Sequence, residues 1–201
     1  MTRRRLTPDE RRRLLVAAGT RLFAERSYDA VLMDDVASAA GVSRALLYRH
    51  FPSKRDLFIA VYEQAAEQLL VDTPLDTKRP LAEQLSDGLD AHFDYFEANA
   101  HAVLAANKVL ASDPTVQGII AGELGELRRR LLDVMGVEGR TREVVSGIVA
   151  SWLIFVRVLC VDWLEHHTYT RDEMRAICLE ALLGALRPIL GPVPPPTGNR
   201  G

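Results

Sequence analysis

The chain has little cysteine. Its 201 residues include two thiols, Cys160 and Cys178. Two are too few for a disulfide scaffold, and no zinc-type spacing accompanies them, so they read as reduced, small core residues. Aromatics reach 6% and isoleucine and threonine are sparse, while alanine, leucine and arginine dominate. That balance disfavours strands and favours helix throughout. Long hydrophobic runs are also missing. The most apolar stretch, "VVSGIVASWLIFV", holds 13 uncharged residues between Glu143 and Arg157. Spanning a bilayer takes roughly 20, so a buried helix is expected there. The opening "MTRRRLTPDERRR" leads into an amphipathic segment and not into the apolar core of a secretion leader. These absences predict a soluble, cytoplasmic, all-α protein.

Catalytic and metal chemistry find no foothold either. No nucleophile elbow, phosphate-cradling glycine loop or cysteine with an evident base occurs, which argues against an enzyme. His166 and His167 are adjacent instead of four apart, and no further ligands join them, so neither metal nor cofactor is expected.

What is present is a charge asymmetry. Residues 1–60 carry 12 Lys/Arg against seven Asp/Glu, and residues 61–201 carry 13 against 20. A basic first third beside an acidic remainder directs only the former toward a polyanion.

Helix signals follow one another closely in that basic third. Thr7 and Glu10 form a capping box with Pro8 at the first helical position, and Leu15, Ala18 and Leu22, with Leu14 and Phe23 beside them, make an apolar stripe. A short helix is predicted over Met33–Ala40, ended by Gly41. Ser43 caps a third helix that reaches His50, and Pro52 stops it. Ser53 with Asp56 starts a fourth, of some 20 residues. Beyond it, helices are predicted after Pro80, over His101–Ala111, Pro114–Met135, Thr141–Glu165 and Asp172–Leu186, making about nine. "GPVPPPTGNRG" reads as a disordered tail.

The spacing Ala37, Gly41, Leu47 is that of a helix-turn-helix. A small residue lets the helices approach, glycine makes the turn, and Val36, Val42 and Leu47 form a miniature core. The second helix, "SRALLYRH", then offers its outward side chains to a DNA major groove. An ordinary helical hairpin with solvated arginines has the same spacing.

The stretch "MDDVASAAGVSRALLYRHFPSKRDLF", residues 33–58, closely resembles the DNA-binding signature of the tetracycline-repressor (TetR) family, and the likeness extends over roughly residues 8–62. The resemblance implies a helix-turn-helix domain (1–56), a helical ligand-binding and dimerisation domain (57–190) and a tail (191–201). It places Ser43 at the start of the recognition helix, beside a phosphate. Arg44, Ala45 and Tyr48 fall at positions that reach base edges, and Tyr48, Arg49, His50 and Lys54 at positions that contact the DNA backbone. Arg3, Arg4 and Arg5 would form an arm along the minor groove or a mere solubilising segment. The chain departs from the family at Leu46, where threonine is usual, at residues 31–33, which lack a common threonine, and at Ser27, which replaces a frequent glycine and would strain or alter its turn.

In this family the larger domain dimerises and holds a small molecule. Phe155, Leu159 and Trp163 on one helix and Ile177, Ala181 and Ala185 on the next are the expected dimer interface, a hairpin core being the alternative. Tyr62, His92, Tyr95, Phe96, Asn107, Trp152 and Phe155 lie on helices that line the ligand cavity in similar proteins, although each also reads as ordinary core. The set is mainly apolar and implies a hydrophobic or aromatic effector. The expected function is a homodimeric repressor, released from an inverted-repeat DNA operator by a small molecule. The alternative is a DNA-binding protein without a ligand, controlled by its abundance or by a protein partner.

Overall fold

A computed structural model describes residues 7–72 and 79–191. The Arg3–Arg5 arm and all but the first residue of the expected tail lie outside them. Nine α-helices occur among the described residues: α1 (Pro8–Glu25), α2 (Met33–Ala39), α3 (Arg44–His50), α4 (Lys54–Asp72), α5 (Leu81–Ala98), α6 (Ala100–Leu104), α7 (Pro114–Met135), α8 (Gly139–His166) and α9 (Arg171–Leu190). One π-helical turn, Ala105–Val109, extends α6. The fold is all-α.

Packing divides the chain into two compact units, Met1–Ala66 with Asn99–Ile119 and Glu67–Ala98 with Ile120–Gly201. A boundary drawn along the chain after residue 56 does not capture this grouping, because it separates Asn99–Ile119 from the N-terminal helices.

In the first unit, the Thr7 hydroxyl accepts from the Glu10 N–H at 3.2 Å and the Glu10 carboxylate accepts from the Thr7 N–H at 2.7 Å. This reciprocal pair satisfies two backbone donors that helix geometry leaves open. Leu15, Ala18, Leu22 and Phe23 are buried as their spacing requires, but Leu14 faces solvent, and Val16 and Gly19 take the core side instead. A β-carbon on Gly19 would come within 3.0 Å of the Val61 side chain, so glycine is what lets α1 lie against α4. Phe58 anchors the core: Phe23 meets it edge-on at 5.2 Å and Tyr62 stacks on it at 5.7 Å. Burying each such ring contributes about 1.5–3 kcal/mol.

In the second unit, α5 buries Leu85, Leu89, Phe93 and Phe96 along one side. Arg171 reaches Asp94 at 2.6 Å, and Arg175 reaches Asp90 at 2.6 Å, tying α9 to α5. Thr170 and Glu173 repeat the capping box of α1. On α9, Met174, Cys178, Leu182 and Leu186 face the core. Both thiols are buried, and burial pushes Cys178 up to about 11 and Cys160 higher still.

The start of α8 and the end of α9 are among the boundaries that differ from the sequence expectation. α8 begins at Gly139, inside "EGR", because Glu138 takes an extended N-cap conformation without any side-chain bond. α9 continues through Pro188 to Leu190, since a proline in the last turn forfeits only one backbone bond. α8 is also more apolar than its 13-residue stretch implied. It contains an 18-residue window of mean hydropathy 2.3, so by length and composition it passes for a membrane span. Arg157 is the sole charge from Val144 to Val161. In this fold α8 packs against α9, and 39% of that window is buried.

Candidate nucleic-acid interface and interior cavity

α2 hands over to α3 through a tight stop. Gly41 takes φ +65°, and the Val42 and Gly41 N–H groups bond back to the Ala37 and Ser38 carbonyls at 3.0 and 3.1 Å. The left-handed backbone favours glycine, and the paired bonds close the end of α2. Ala37 is buried beneath the turn with Val36 and Leu47, while Val42 is half-buried. Ser43, extended at φ −73° and ψ 150°, caps α3 by accepting from the Leu46 N–H at 3.3 Å. The missing threonine at position 46 therefore leaves the cap itself intact. Ser27 has no positive φ, and its carbonyl accepts from Ala30 at 3.0 Å, so the expected strain does not arise.

With Leu47 fixed in the core, α3 exposes Ser43, Arg44, Ala45, Tyr48 and Arg49, and His50 is half-buried. Arg11, from α1, joins Ser43, Ala45, Leu46 and Arg49 around one shallow depression. Arg11 was not expected there; the signal was its place in the basic run "ERRR" of α1. The Arg44 guanidinium lies 3.0 Å from the Asp34 carboxylate and 5.4 Å from the Tyr48 ring centre. Lys54 turns toward the α1–α2 connection, donating to the Tyr28 carbonyl at 2.8 Å and to that of Asp29 at 3.4 Å, over the Tyr28 ring. An ammonium has three donors, so one is left for a phosphate.

The second unit holds a half-open cavity of about 70 Å³. Leu85, Leu89, Leu131, Leu153 and Val156 are among its apolar walls, and His92, Gln84 and Trp152 also line it. The Trp152 Nε1 donates to the Cys178 carbonyl at 2.7 Å, which pins the ring between α8 and α9. Burial, and secondarily Arg157, drives the His92 pKa down to about 3, so the imidazole is neutral.

Residues 15–61 match the sequence profile of the bacterial regulatory proteins of the tetR family. The HTH-type transcriptional activator FasR of Mycolicibacterium smegmatis is 31% identical over 154 residues, which cover 73% of this chain and 70% of FasR. This chain belongs to the tetR family. The HTH-type transcriptional regulator CymR of Pseudomonas putida is 29% identical over 79% of this chain and 82% of its own length. A tetR-family transcriptional regulator from Streptomyces coelicolor shares the fold, with a TM-score of 0.79 at 24% identity over 90% of this chain and 82% of that one. The protein is thus a DNA-binding transcriptional regulator, in a family of regulators and not of enzymes.

Within this tetR-family chain, the residues expected to line a ligand site part company. His92 and Trp152 meet at the cavity. Phe96 is fully buried beneath His92, at a ring separation of 4.2 Å, and Tyr95 packs on Phe96. Tyr62 and Asn107 belong to the first unit, where Tyr62 stacks on Phe58 and Asn107 donates to the Val103 carbonyl at 2.7 Å. Phe155 leaves the cavity altogether: it lines an open groove on α8 and α9 with Val144, Ile148, Ala181 and Ala185. Of the expected interface residues, Phe155, Ile177, Ala181 and Ala185 are exposed and Leu159 is half-buried. Trp163 is buried against Phe93, at 6.4 Å between rings, which gives it to the chain's own core. No metal-binding cluster of His, Cys, Asp or Glu occurs among the described residues.

Proposed function

We propose that the protein is a homodimeric repressor that holds an inverted-repeat operator and releases it when a small, mainly apolar effector enters the second unit. The cavity beside His92 and Trp152 carries this reading. At about 70 Å³ it is smaller than the roughly 150 Å³ that accepts a benzene ring, though large enough not to be a packing defect of methyl size. An effector must therefore part the walls, and a ligand that fits one arrangement of helices better shifts the population toward it. Dimerisation is supported by the uncovered apolar side chains Ile154, Phe155, Val158 and Ile177 on α8 and α9, an apolar patch of the sort that marks an interface. Paired α3 helices one DNA turn apart suit an inverted repeat. Arg44, Ala45 and Tyr48 are proposed as base readers, and Ser43, Arg49, His50 and Lys54 as backbone contacts.

The decisive experiment is selection of binding sites for the full chain, followed by release of the selected duplex in a compound screen. Compounds that release DNA should also raise the melting temperature. If the screen yields none and the chain binds DNA unchanged, regulation by abundance or by a protein partner replaces the effector. A second reading, activation, is favoured by the relationship to FasR, a transcriptional activator. Transcription from a promoter carrying the selected site, with and without the protein, separates the two.

A further inference from the structure

Two ionisable side chains of the second unit, half-buried His92 and buried Arg157, meet at the Phe96 ring, and a third, buried Glu123, faces Arg157. His92 packs on Phe96 at 4.2 Å, and the Arg157 guanidinium lies over the same ring at 5.6 Å. Glu123 faces Arg157 at 3.7 Å, an ion pair longer than a hydrogen bond. His92 Nε2 and Glu123 Oε1 are shut off from solvent and have no hydrogen-bond partner among the described residues. Burying polar atoms in this way is destabilising, and native cores rarely keep them without a use. His92 also lines the cavity.

We propose that His92, backed by the Glu123–Arg157 pair, receives a hydroxyl group of the effector, carried on an otherwise apolar body. The proposal rests on the effector reading above and adds the polar chemistry of the ligand. Charge decides between the candidate groups. The imidazole is neutral, and the positive charge of Arg157 already faces that of Glu123. A carboxylate ligand would bring a second negative charge into a site balanced without it, and an ammonium would meet Arg157. A hydroxyl adds no charge and both donates and accepts, so it fits Nε2 in either tautomer.

The test uses the full chain and three probes of matched shape: 4-butylphenol, butylbenzene and 4-butylbenzoate, titrated at pH 7 with binding followed by calorimetry. The phenol should bind at least tenfold tighter than the other two. His92→Leu should erase that advantage while retaining butylbenzene. Glu123→Gln, which leaves the fold less exposed to a cavity effect, should shift preference toward the benzoate by tenfold or more. Equal binding of phenol and butylbenzene, or a phenol preference that survives His92→Leu, overturns the hydroxyl assignment and leaves an apolar effector standing. Tightest binding of the benzoate by the parent chain overturns it as well. If none of the three binds, both the hydroxyl and the cavity as a ligand site are lost together.

Discussion

Arg55 and Asp113 meet side by side: the Arg55 Nη2 donates to one carboxylate oxygen of Asp113 at 2.9 Å while its Nε donates to the other. The same carboxylate caps the start of α7, accepting from the Thr115 and Val116 N–H groups at 2.9 and 3.1 Å. One side chain thus joins the first turn of α4 to the first turn of α7.

Four hydrogen bonds to its charged form, those from Arg55 foremost, hold the Asp113 pKa at about 2, below its usual 3.8. A lowered folded-state pKa means that the stabilisation is complete above about 3.8 and is lost as pH falls toward 2. Asp113→Asn should lower the melting temperature by about 2–4 °C at neutral pH. The gap between variant and parent should close as pH drops below 3.8. Identical melts at pH 7 would show that the pair contributes nothing.

Arg44 is held by Asp34 before DNA arrives, at 3.0 Å. An exposed pair of this kind is worth about 0.2–1 kcal/mol, so Asp34→Ala should tighten DNA binding by up to about fivefold. Arg44→Ala should weaken specific binding by about 1–3 kcal/mol and relax preference at one base pair per half-site. Binding sites selected by the Arg44 variant reveal which: a profile identical to the parent's means Arg44 reads no base.

Lys54→Ala should act twice. Loss of its bonds to the Tyr28 and Asp29 carbonyls loosens the α1–α2 connection and lowers the melting temperature. Loss of a phosphate contact should reduce the slope of log affinity against log salt by about one, for all DNA sequences alike. A lower melting temperature with an unchanged slope would make Lys54 purely an internal staple.

Phe155 and Ala181 are exposed and line the same groove. Phe155→Glu and Ala181→Glu should each leave the monomer folded and shift sedimentation toward the monomer, since charge would enter the proposed dimer interface. Two folded dimers would place the interface elsewhere.

The His92 imidazole is neutral, with a pKa of about 3 against 6.5 when exposed. Below pH 6.5 the unfolded chain takes up a proton that the folded chain refuses, so stability falls as pH drops from about 6.5 toward 3. The slope is at most about 1.4 kcal/mol per pH unit. Glu123 has the opposite tendency, its pKa being raised by burial, so the informative quantity is the difference between parent and His92→Leu. The variant should show the shallower decline between pH 6.5 and 4.5 in denaturant titrations; parallel curves would return His92 to a solvated state.

The helix order and the DNA-binding third were legible because their signals are local. A capping box, a glycine at a left-handed turn and a proline stop each act within four residues, as Thr7, Gly41 and Pro52 do. The second capping box, Thr170 with Glu173, has the same pattern and marks the true start of α9, one residue before the expected Asp172. The cavity was less legible. Periodicity says that Phe155 and Trp152 are apolar, but they lie three residues apart on α8, and only the placement of α9 sends one inward and the other out. Glu123 and Arg157 were missed for a related reason: their partnership spans 34 positions, and a single arginine in an apolar run was the one local hint.

The composition of α8 also has a consequence in time. While a ribosome is still making the following segment, α8 is a finished stretch that by hydropathy would pass for a membrane span. Its packing partner α9 ends 24 residues later, at Leu190, a delay of roughly 1–5 s at ordinary elongation rates. Until those residues have followed it, the apolar side that α9 covers lacks its partner. The closeness of α9 in sequence therefore does more than simplify topology: it keeps the interval short in which the nascent chain is vulnerable to membranes and to its neighbours.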